Sequence, residues 1–191
     1  MQNQPKISDG FQSNRNLKER TMKAEIAIAA FFVEHNIAFS GMNHFVDLVK
    51  NIAPDSKILK EIKCARTKGT AFAKNVIRLT MENILNNLLR NHKFSLCIDE
   101  STDMSTKKLL SLVVRVSSED FRIRDYFFGL IKVSEADASS LYEVITYLFR
   151  KKNINYKENL IGFAADGASV MHGRTHSVAA LLKKQTAQTY F

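Results

Sequence analysis

Two short apolar runs that each end on an aspartate constrain this chain more than any other feature. Phe94–Ile98 leads directly into Asp99, and Leu160–Ala165 leads directly into Asp166. Each run has the length and composition of a buried β-strand that delivers a carboxylate to its C-terminal end. Either aspartate alone is equally typical of an ordinary strand-to-turn junction, because Asp is favoured in turns. As a pair, strands of this design place two carboxylates side by side at one edge of a sheet.

The residues between the two aspartates predict a meander of strands followed by a crossover helix. Alternating apolar residues predict a second strand over 109–117 and a third over 121–133, with a bulge near Asp125. A helix over 138–151 then leads to the strand that ends on Asp166, and a last helix follows over 175–188. This order makes the fourth strand parallel to the first. We therefore expect a mixed sheet in the order β-β-β-α-β-α.

The first half of the chain predicts an all-helical module. Residues 1–15 are polar and predict a disordered tail. Apolar residues then recur with helical spacing, and the predicted helices cover about 17–35, 42–52, 56–62 and 70–90. Ser40 and Asp55 are the predicted N-caps of the second and third helices. The period changes from 3.6 to 2 at Phe94, which predicts a helical module over 16–93, a sheet domain over 94–191 and an α+β, or mixed α/β, fold class.

Positive charge is concentrated in the helical half. The net charge is +9, and residues 1–93 hold 15 Lys and Arg against 8 Asp and Glu, whereas residues 94–191 hold 13 against 11. Five cations fall within a dozen positions: Lys57, Lys60, Lys63, Arg66 and Lys68. This cluster indicates a face that contacts nucleic-acid phosphates. A solvated basic surface that serves solubility is the alternative.

Other features exclude several classes of protein. No apolar run reaches the 18 residues that a membrane-spanning helix needs, so we expect no membrane partner. The two cysteines, Cys64 and Cys97, are far apart, and the histidines are isolated. We therefore expect no disulfide framework and no zinc site.

Paired carboxylates point to a hard metal ion. Two carboxylates at close range repel unless a cation lies between them, and Mg²⁺ or Mn²⁺ suits an all-oxygen site. A pair of such ions holds the attacking and leaving oxygens of a phosphodiester displacement, and a third carboxylate usually fixes the second ion. Glu100 and Asp103 are within range in sequence. If the first strand persists, however, Glu100 points to the face opposite Asp99.

Four segments resemble a known group of proteins. FSLCIDESTDMSTKKLLSLVVRV and LIGFAADGASVMHGRTHSVAALLKK resemble hAT-superfamily transposases and host proteins derived from them. AEIAIAAFFVEHNIAFSGMNHFVDLVK and CARTKGTAFAKNVI resemble the helical segment that precedes the catalytic core in hAT-like proteins related to the BED-finger group. The resemblance runs from about residue 20 to the end. It implies a ribonuclease H-like fold of the DDE type.

The resemblance also implies roles for individual residues. Asp99 matches the first catalytic, metal-binding aspartate and Asp166 the second, with Mg²⁺ or Mn²⁺ as the cofactor; Asp103 falls on a further acidic motif position with a structural role. The family's third acidic residue, a Glu, lies far downstream, after a helical insertion. The resemblance thus implies an N-terminal fragment with a partial core and no complete strand transfer. It further implies a nuclear DNA-binding protein whose homo-oligomer contacts lie in the downstream region.

Three functions from different classes follow. The first is a truncated, transposase-derived protein with two of three metal-ligand positions. The second is a domesticated, non-catalytic DNA-binding or protein-interaction module of the nucleus. The third, an unrelated Mg²⁺-dependent phosphotransfer domain, is disfavoured because the chain has no Gly-rich phosphate loop and the residues after Asp99 lack the spacing of an aspartyl nucleophile.

Overall fold

The molecule consists of a helical part followed by a four-stranded sheet with helices. The computed structural model describes residues 7–102, 108–117, 122–133 and 137–186. This architecture confirms the predicted α+β fold class. The chain divides into two compact units after Glu82, eleven residues before the predicted boundary at 93/94. In the described part of the chain, no helix combines the length and apolarity that a bilayer crossing requires.

The helical unit contains more helix than the sequence predicts. Its elements are α1 (Ile7–Glu34), a 3₁₀ turn (Phe39–Gly41), α2 (Met42–Ile52), α3 (Lys57–Glu61), α4 (Arg66–Phe72), a π-helical turn (Ala73–Ile77) and the start of α5 (Arg78–Asn91). Residues 7–15, predicted as part of a disordered tail, belong to α1, and residues 1–6 lie outside the described range. The predicted helix over 70–90 begins four residues earlier, at Arg66.

Two helix caps differ from the prediction. The Ser56 hydroxyl accepts the backbone N–H of Leu59 and caps α3, so Asp55 is not the cap. Ser40 lies inside the 3₁₀ turn, and the N-cap of α2 is Gly41, without a side-chain hydrogen bond. A 3₁₀ turn uses its own carbonyls as acceptors, which replaces a capping side chain there.

The core of the helical unit uses a face of α1 that is rotated by one position from the predicted face. Its buried residues are Ala29, Phe32, Met42, Val46, Ile62 and Cys64. The helical spacing of Met22, Ile26, Ala29, Ala30 and Val33 predicts that these residues form the buried face, but Met22 is 56% exposed. Of the neighbouring Phe31 and Phe32, Phe32 is buried and packs on both Phe39 and Phe45, whereas Phe31 stacks on Phe45 and stays 42% exposed. The buried face of α1 therefore runs through Thr21, Glu25, Ala29 and Phe32.

The π-helical turn changes which side of the following helix is buried. The sequence predicts a buried side made of Ala73, Val76, Ile77, Thr80, Ile84, Leu85 and Leu88. Ile84 is instead 54% exposed, and the buried residues are Leu85 and Leu89. One extra residue in a helical turn rotates every later side chain by about 100°. Leu85 and Leu89 join the core of the sheet unit, which explains why the division between the units falls inside α5.

The sheet has the predicted topology. Its strands are β1 (Phe94–Thr102), β2 (Lys108–Ser117), β3 (Ile123–Val133) and β4 (Leu160–Ala164), in the order β3-β2-β1-β4. β1 pairs antiparallel with β2 and parallel with β4, which confirms the predicted neighbours. The bulge lies at Phe128 rather than near Asp125, because Asp125 pairs regularly with Arg115 whereas Phe128 is skipped in the register.

Helices cover one face of this sheet. They are the C-terminal part of α5, α6 (Ala138–Lys151), α7 (Tyr156–Asn159), α8 (Ser169–His172) and α9 (Val178–Gln185). Phe149 lies at the centre of the core, with ring centroids 5.6 Å from Phe94, 5.0 Å from Phe128 and 5.4 Å from Tyr156. α6 has the predicted bounds, whereas α7 and α8 were not predicted, since four residues are too few to show a period.

Candidate functional site

Asp99 lies within a strand and not at its end. β1 continues three residues beyond Asp99, because Asp99–Thr102 pair in regular register with Lys108–Ser111 of β2. The prediction that the strand ends on Asp99 is therefore corrected. Asp99 is exposed, whereas its neighbour Ile98 is buried in the core. The carboxylate consequently lies on the sheet face opposite the helices.

Asp166 lies two residues beyond the end of β4, which ends at Ala164, so the prediction that this strand ends on Asp166 is also corrected. In the parallel β1–β4 pair, Cys97 is opposite Ala164, the last residue of β4. If the chain kept this register for two residues beyond β4, Asp166 would lie opposite Asp99, at the spacing of neighbouring strands of about 5 Å. Phe163 is buried, whereas Ala164 and Asp166 are exposed. Alternation continued beyond the strand therefore favours the face of Asp99 for the Asp166 carboxylate.

The described residues do not add a third carboxylate to this pair. β1 continues through Glu100, so alternation turns the Glu100 side chain towards the helix-covered face. Glu100 Oε1 lies 3.1 Å from Lys108 Nζ on β2 and forms an ion pair there. Asp103 lies outside the described residues. Among the residues that the structure describes, no cluster of three or more His, Cys, Asp or Glu side chains has the arrangement of a metal site.

The basic cluster of the helical unit lies on and after α3. Lys57 and Lys60 are exposed on α3, and Lys63 and Arg66 are exposed in and just after the connection to α4. None of these four cations forms an ion pair with a residue in the described ranges. Their charges therefore face solvent without a neutralising partner.

Lys68, the fifth predicted cation, has a different environment. Its Nζ lies 2.5 Å from Glu25 Oε2, and the Glu25 side chain is only 4% exposed. The ammonium also lies 5.7 Å from the centre of the Phe72 ring. Glu25 thus largely neutralises the charge of Lys68. Lys68 therefore contributes less to the positive surface potential than the other four cations.

Sequence reasoning missed two residues of this surface. A groove of about 230 Å³ beside the cluster is lined by α2 and by residues 62–65, and Lys50 and Lys63 are among the lining side chains. Asn43 Oδ1 accepts the Arg66 backbone N–H at 3.2 Å and ties α2 to the start of α4. Asn43 and Lys50 are seven residues apart on one face of α2, a spacing that was visible in the sequence.

Comparison with known proteins places this architecture in a family. A family model described as the ZMYM1/FAM200, RNase-like domain (DUF4371) matches residues 2–177. The chain belongs to this family. A search of the curated proteins found no match. The family match supports a transposase-derived, nucleic-acid-related protein with an RNase-like domain.

The matched range of the ZMYM1/FAM200 family model includes both parts of the candidate site. It contains the cations from Lys57 to Arg66 and also Asp99 and Asp166. The helical unit is therefore part of the family's domain together with the sheet, and it is not an unrelated extension.

Proposed function

We propose that this chain is a hAT-type, transposase-derived protein that binds DNA in the nucleus through its helical unit. The observation that carries the proposal is the group of four exposed cations, Lys57, Lys60, Lys63 and Arg66, without ion-pair partners among the described residues. Cations in this state gain most from phosphate contact, because they release the condensed counterions of DNA without first breaking an ion pair. Lys68 contributes a smaller share, since Glu25 already binds it.

The acidic pair belongs to the same proposal, with a limited role. Asp99 on β1 and Asp166 just after the adjacent strand β4 would together hold one Mg²⁺ or Mn²⁺, because carboxylate oxygens suit such an ion. The ion would supply Lewis-acid stabilisation of a phosphate oxygen. Two carboxylates do not fix a second ion, and the described residues offer no third. We therefore propose weak metal binding without complete strand transfer.

The test of the proposal is a salt titration of binding to duplex DNA, followed by fluorescence anisotropy. We expect weak binding at low salt that falls steeply as salt rises. The variant Lys60→Gln/Lys63→Gln should bind more weakly, and its log–log salt slope should fall by about one for each lysine removed.

The matched control is Lys18→Gln/Lys74→Gln, which removes two exposed lysines of the same unit outside the cluster. It carries the same net charge and should lower the slope less. Equal effects in the two variants would show that net charge, and not this surface, attracts the DNA. An absence of binding at low salt would contradict the proposal itself.

A protein-interaction module is the second candidate function. Leu48 and Ile52 of α2 are one helical turn apart, and both are exposed, Ile52 to 71%. Large apolar side chains paired in this way on a surface are typical of a contact with another protein. A Leu48→Ser/Ile52→Ser variant that kept DNA binding but lost a partner would favour this second function.

A further inference from the structure

A cleft in the sheet unit combines aromatic rings with cations. It has a volume of about 900 Å³ and is lined by one side of α6, by residues 154–157 and by Gln185 at the end of α9. This volume is within the range of about 300–1,000 Å³ that small ligands occupy in proteins. The acidic pair Asp99 and Asp166 does not line this cleft. The candidate site described above therefore does not account for it.

Tyrosines provide the flat surfaces of the cleft. Tyr142, Tyr147 and Tyr156 all line it, and Tyr147 is 58% exposed. The hydroxyls of Tyr142 and Tyr156 lie 3.4 Å apart, so these two rings form the fixed inner wall. Tyr147 is the most exposed of the three, and its ring is therefore accessible for stacking.

The charge of the cleft is positive. Arg150 and Lys157 are exposed lining residues, and neither forms an ion pair in the described part of the chain. Glu143 is the carboxylate among the lining residues. Arg150 lies about one helical turn beyond Tyr147, so both side chains belong to the same side of α6. Asn155 and Gln185 add amide groups that both donate and accept hydrogen bonds.

We propose that this cleft binds single-stranded nucleic acid. Phosphates contact Arg150 and Lys157, and an unpaired base stacks on Tyr147. Rings next to cations in an open groove are the combination that holds single strands, since every base has a face for stacking. In a duplex the bases stack on one another, so their faces are not available for stacking on the tyrosines. An acidic peptide would match the cations but would leave the stacking surface unused.

This inference goes beyond the proposed function and does not rest on it. The proposed duplex-binding surface belongs to the helical unit, whereas every lining residue of the cleft belongs to the sheet unit. The Lys60→Gln/Lys63→Gln variant should therefore lose duplex affinity and keep its affinity for single strands. If that variant lost both, one shared surface would bind both ligands and the cleft proposal would fall.

Intrinsic tyrosine fluorescence gives a direct readout. The chain has five tyrosines and no tryptophan. Of the tyrosines in the described ranges, Tyr142, Tyr147 and Tyr156 line the cleft. Adding oligothymidine to the full chain should quench this emission to a saturable limit. Tyr147→Ala should weaken the affinity about fivefold or more, whereas Tyr147→Phe, which keeps the ring, should retain it.

Neighbouring cations on α6 provide the matched charge control. Arg150→Ala and Lys151→Ala remove the same charge from adjacent positions, but only Arg150 lines the cleft. Arg150→Ala should weaken oligothymidine binding more than Lys151→Ala does. Absent quenching, unchanged affinity in Tyr147→Ala, or equal effects of the two charge changes would each overturn the proposal. An acidic peptide that competed as well as oligothymidine would identify a peptide site instead.

Discussion

At the residue scale, a buried glutamate organises the helical unit. Glu25 lies on the core side of α1 and is 3% exposed. Its Oε1 accepts the backbone N–H of Lys63 at 2.7 Å, and its Oε2 pairs with Lys68. These contacts join α1 to the segment between α3 and α4. Burial, together with the nearby negative charge of Glu25, raises the pKa of the Cys64 thiol.

We expect Glu25→Ala to lower the free energy of unfolding by about 1–3 kcal/mol, because the Lys63 N–H and the Lys68 ammonium lose their acceptor. Urea unfolding of the pure protein measures this change. Glu19→Ala is the control on the same helix, since Glu19 forms an exposed pair with Lys23, and its unfolding midpoint should hardly move. Equal losses in the two variants would refute a special role for the buried carboxylate.

A second residue-scale prediction concerns Tyr156. Burial, followed by the hydrogen bond with Tyr142, raises its pKa from 10.0 to about 12. The folded state holds this proton more tightly than the unfolded state, so the contribution to stability is complete below pH 10 and is lost as the pH rises towards 12. An absorbance titration of tyrosinate should show one late-titrating group. Tyr142→Phe should lower that pKa, and a titration curve identical to the parent's would contradict the assignment.

At the element scale, α9 depends on a single buried cap. Ser177 is fully buried; its hydroxyl donates to the Gly173 carbonyl at 2.7 Å and accepts the Ala180 N–H at 3.1 Å. The cap therefore satisfies the first turn of α9 and also holds the chain after α8. Val178 and Leu182 of α9 are buried in the core of the sheet unit, so this helix has to start at a fixed place.

Ser177→Ala should cost about 0.5–2 kcal/mol, the range for lost N-caps, because Ala180 N–H and the Gly173 carbonyl both lose their partner. Thermal or urea unfolding reports the loss. Thr175→Ala, two residues earlier and exposed, should be close to neutral. If Thr175→Ala were as harmful as Ser177→Ala, the connecting segment and not the cap would be the source of the stability.

At the scale of the whole molecule, each unit has its own core, and the candidate DNA-binding and metal-binding residues belong to different units. The four exposed cations of the basic cluster belong to the helical unit, and Asp99 and Asp166 belong to the sheet unit. An in-line phosphodiester displacement needs metal ions positioned to fractions of an ångström. Two carboxylates do not provide that precision, so the proposed function separates DNA binding from DNA cleavage.

We therefore expect no divalent-dependent nicking of supercoiled plasmid by the pure chain in Mg²⁺ or Mn²⁺. Loss of one electrostatic anchor typically lowers a rate by about 10²–10³. Asp99→Ala and Asp166→Ala should match the parent, as should the control Asp55→Ala, which alters an exposed aspartate of the helical unit. Robust nicking that Asp99→Ala and Asp166→Ala abolish, but Asp55→Ala does not, would show a complete site.

The sequence by itself determined the order of the strands and the topology of the sheet. Strand and helix periods are local properties, so alternation placed β1 to β4 and the long helix α6 within a few residues. The meander and the crossover then left β4 parallel to β1. The opposite facing of Asp99 and Glu100 also follows from alternation alone, once the strand is continuous.

Only the tertiary structure decided where β1 ends, which residue Lys68 contacts and which face of α5 is buried. β1 extends to Thr102 because its last residues pair with Lys108–Ser111. Considered without this pairing, the polar residues after Ile98 predict a turn. Lys68 is a structural cation because Glu25, 43 residues away in sequence, folds against it. A pattern search with a period of 3.6 residues does not detect the π-helical turn. This turn rotates α5, so that Leu89 is buried and Ile84 is exposed. The Glu25–Lys68 contact joins segments 43 residues apart, so no short window of sequence contains both partners.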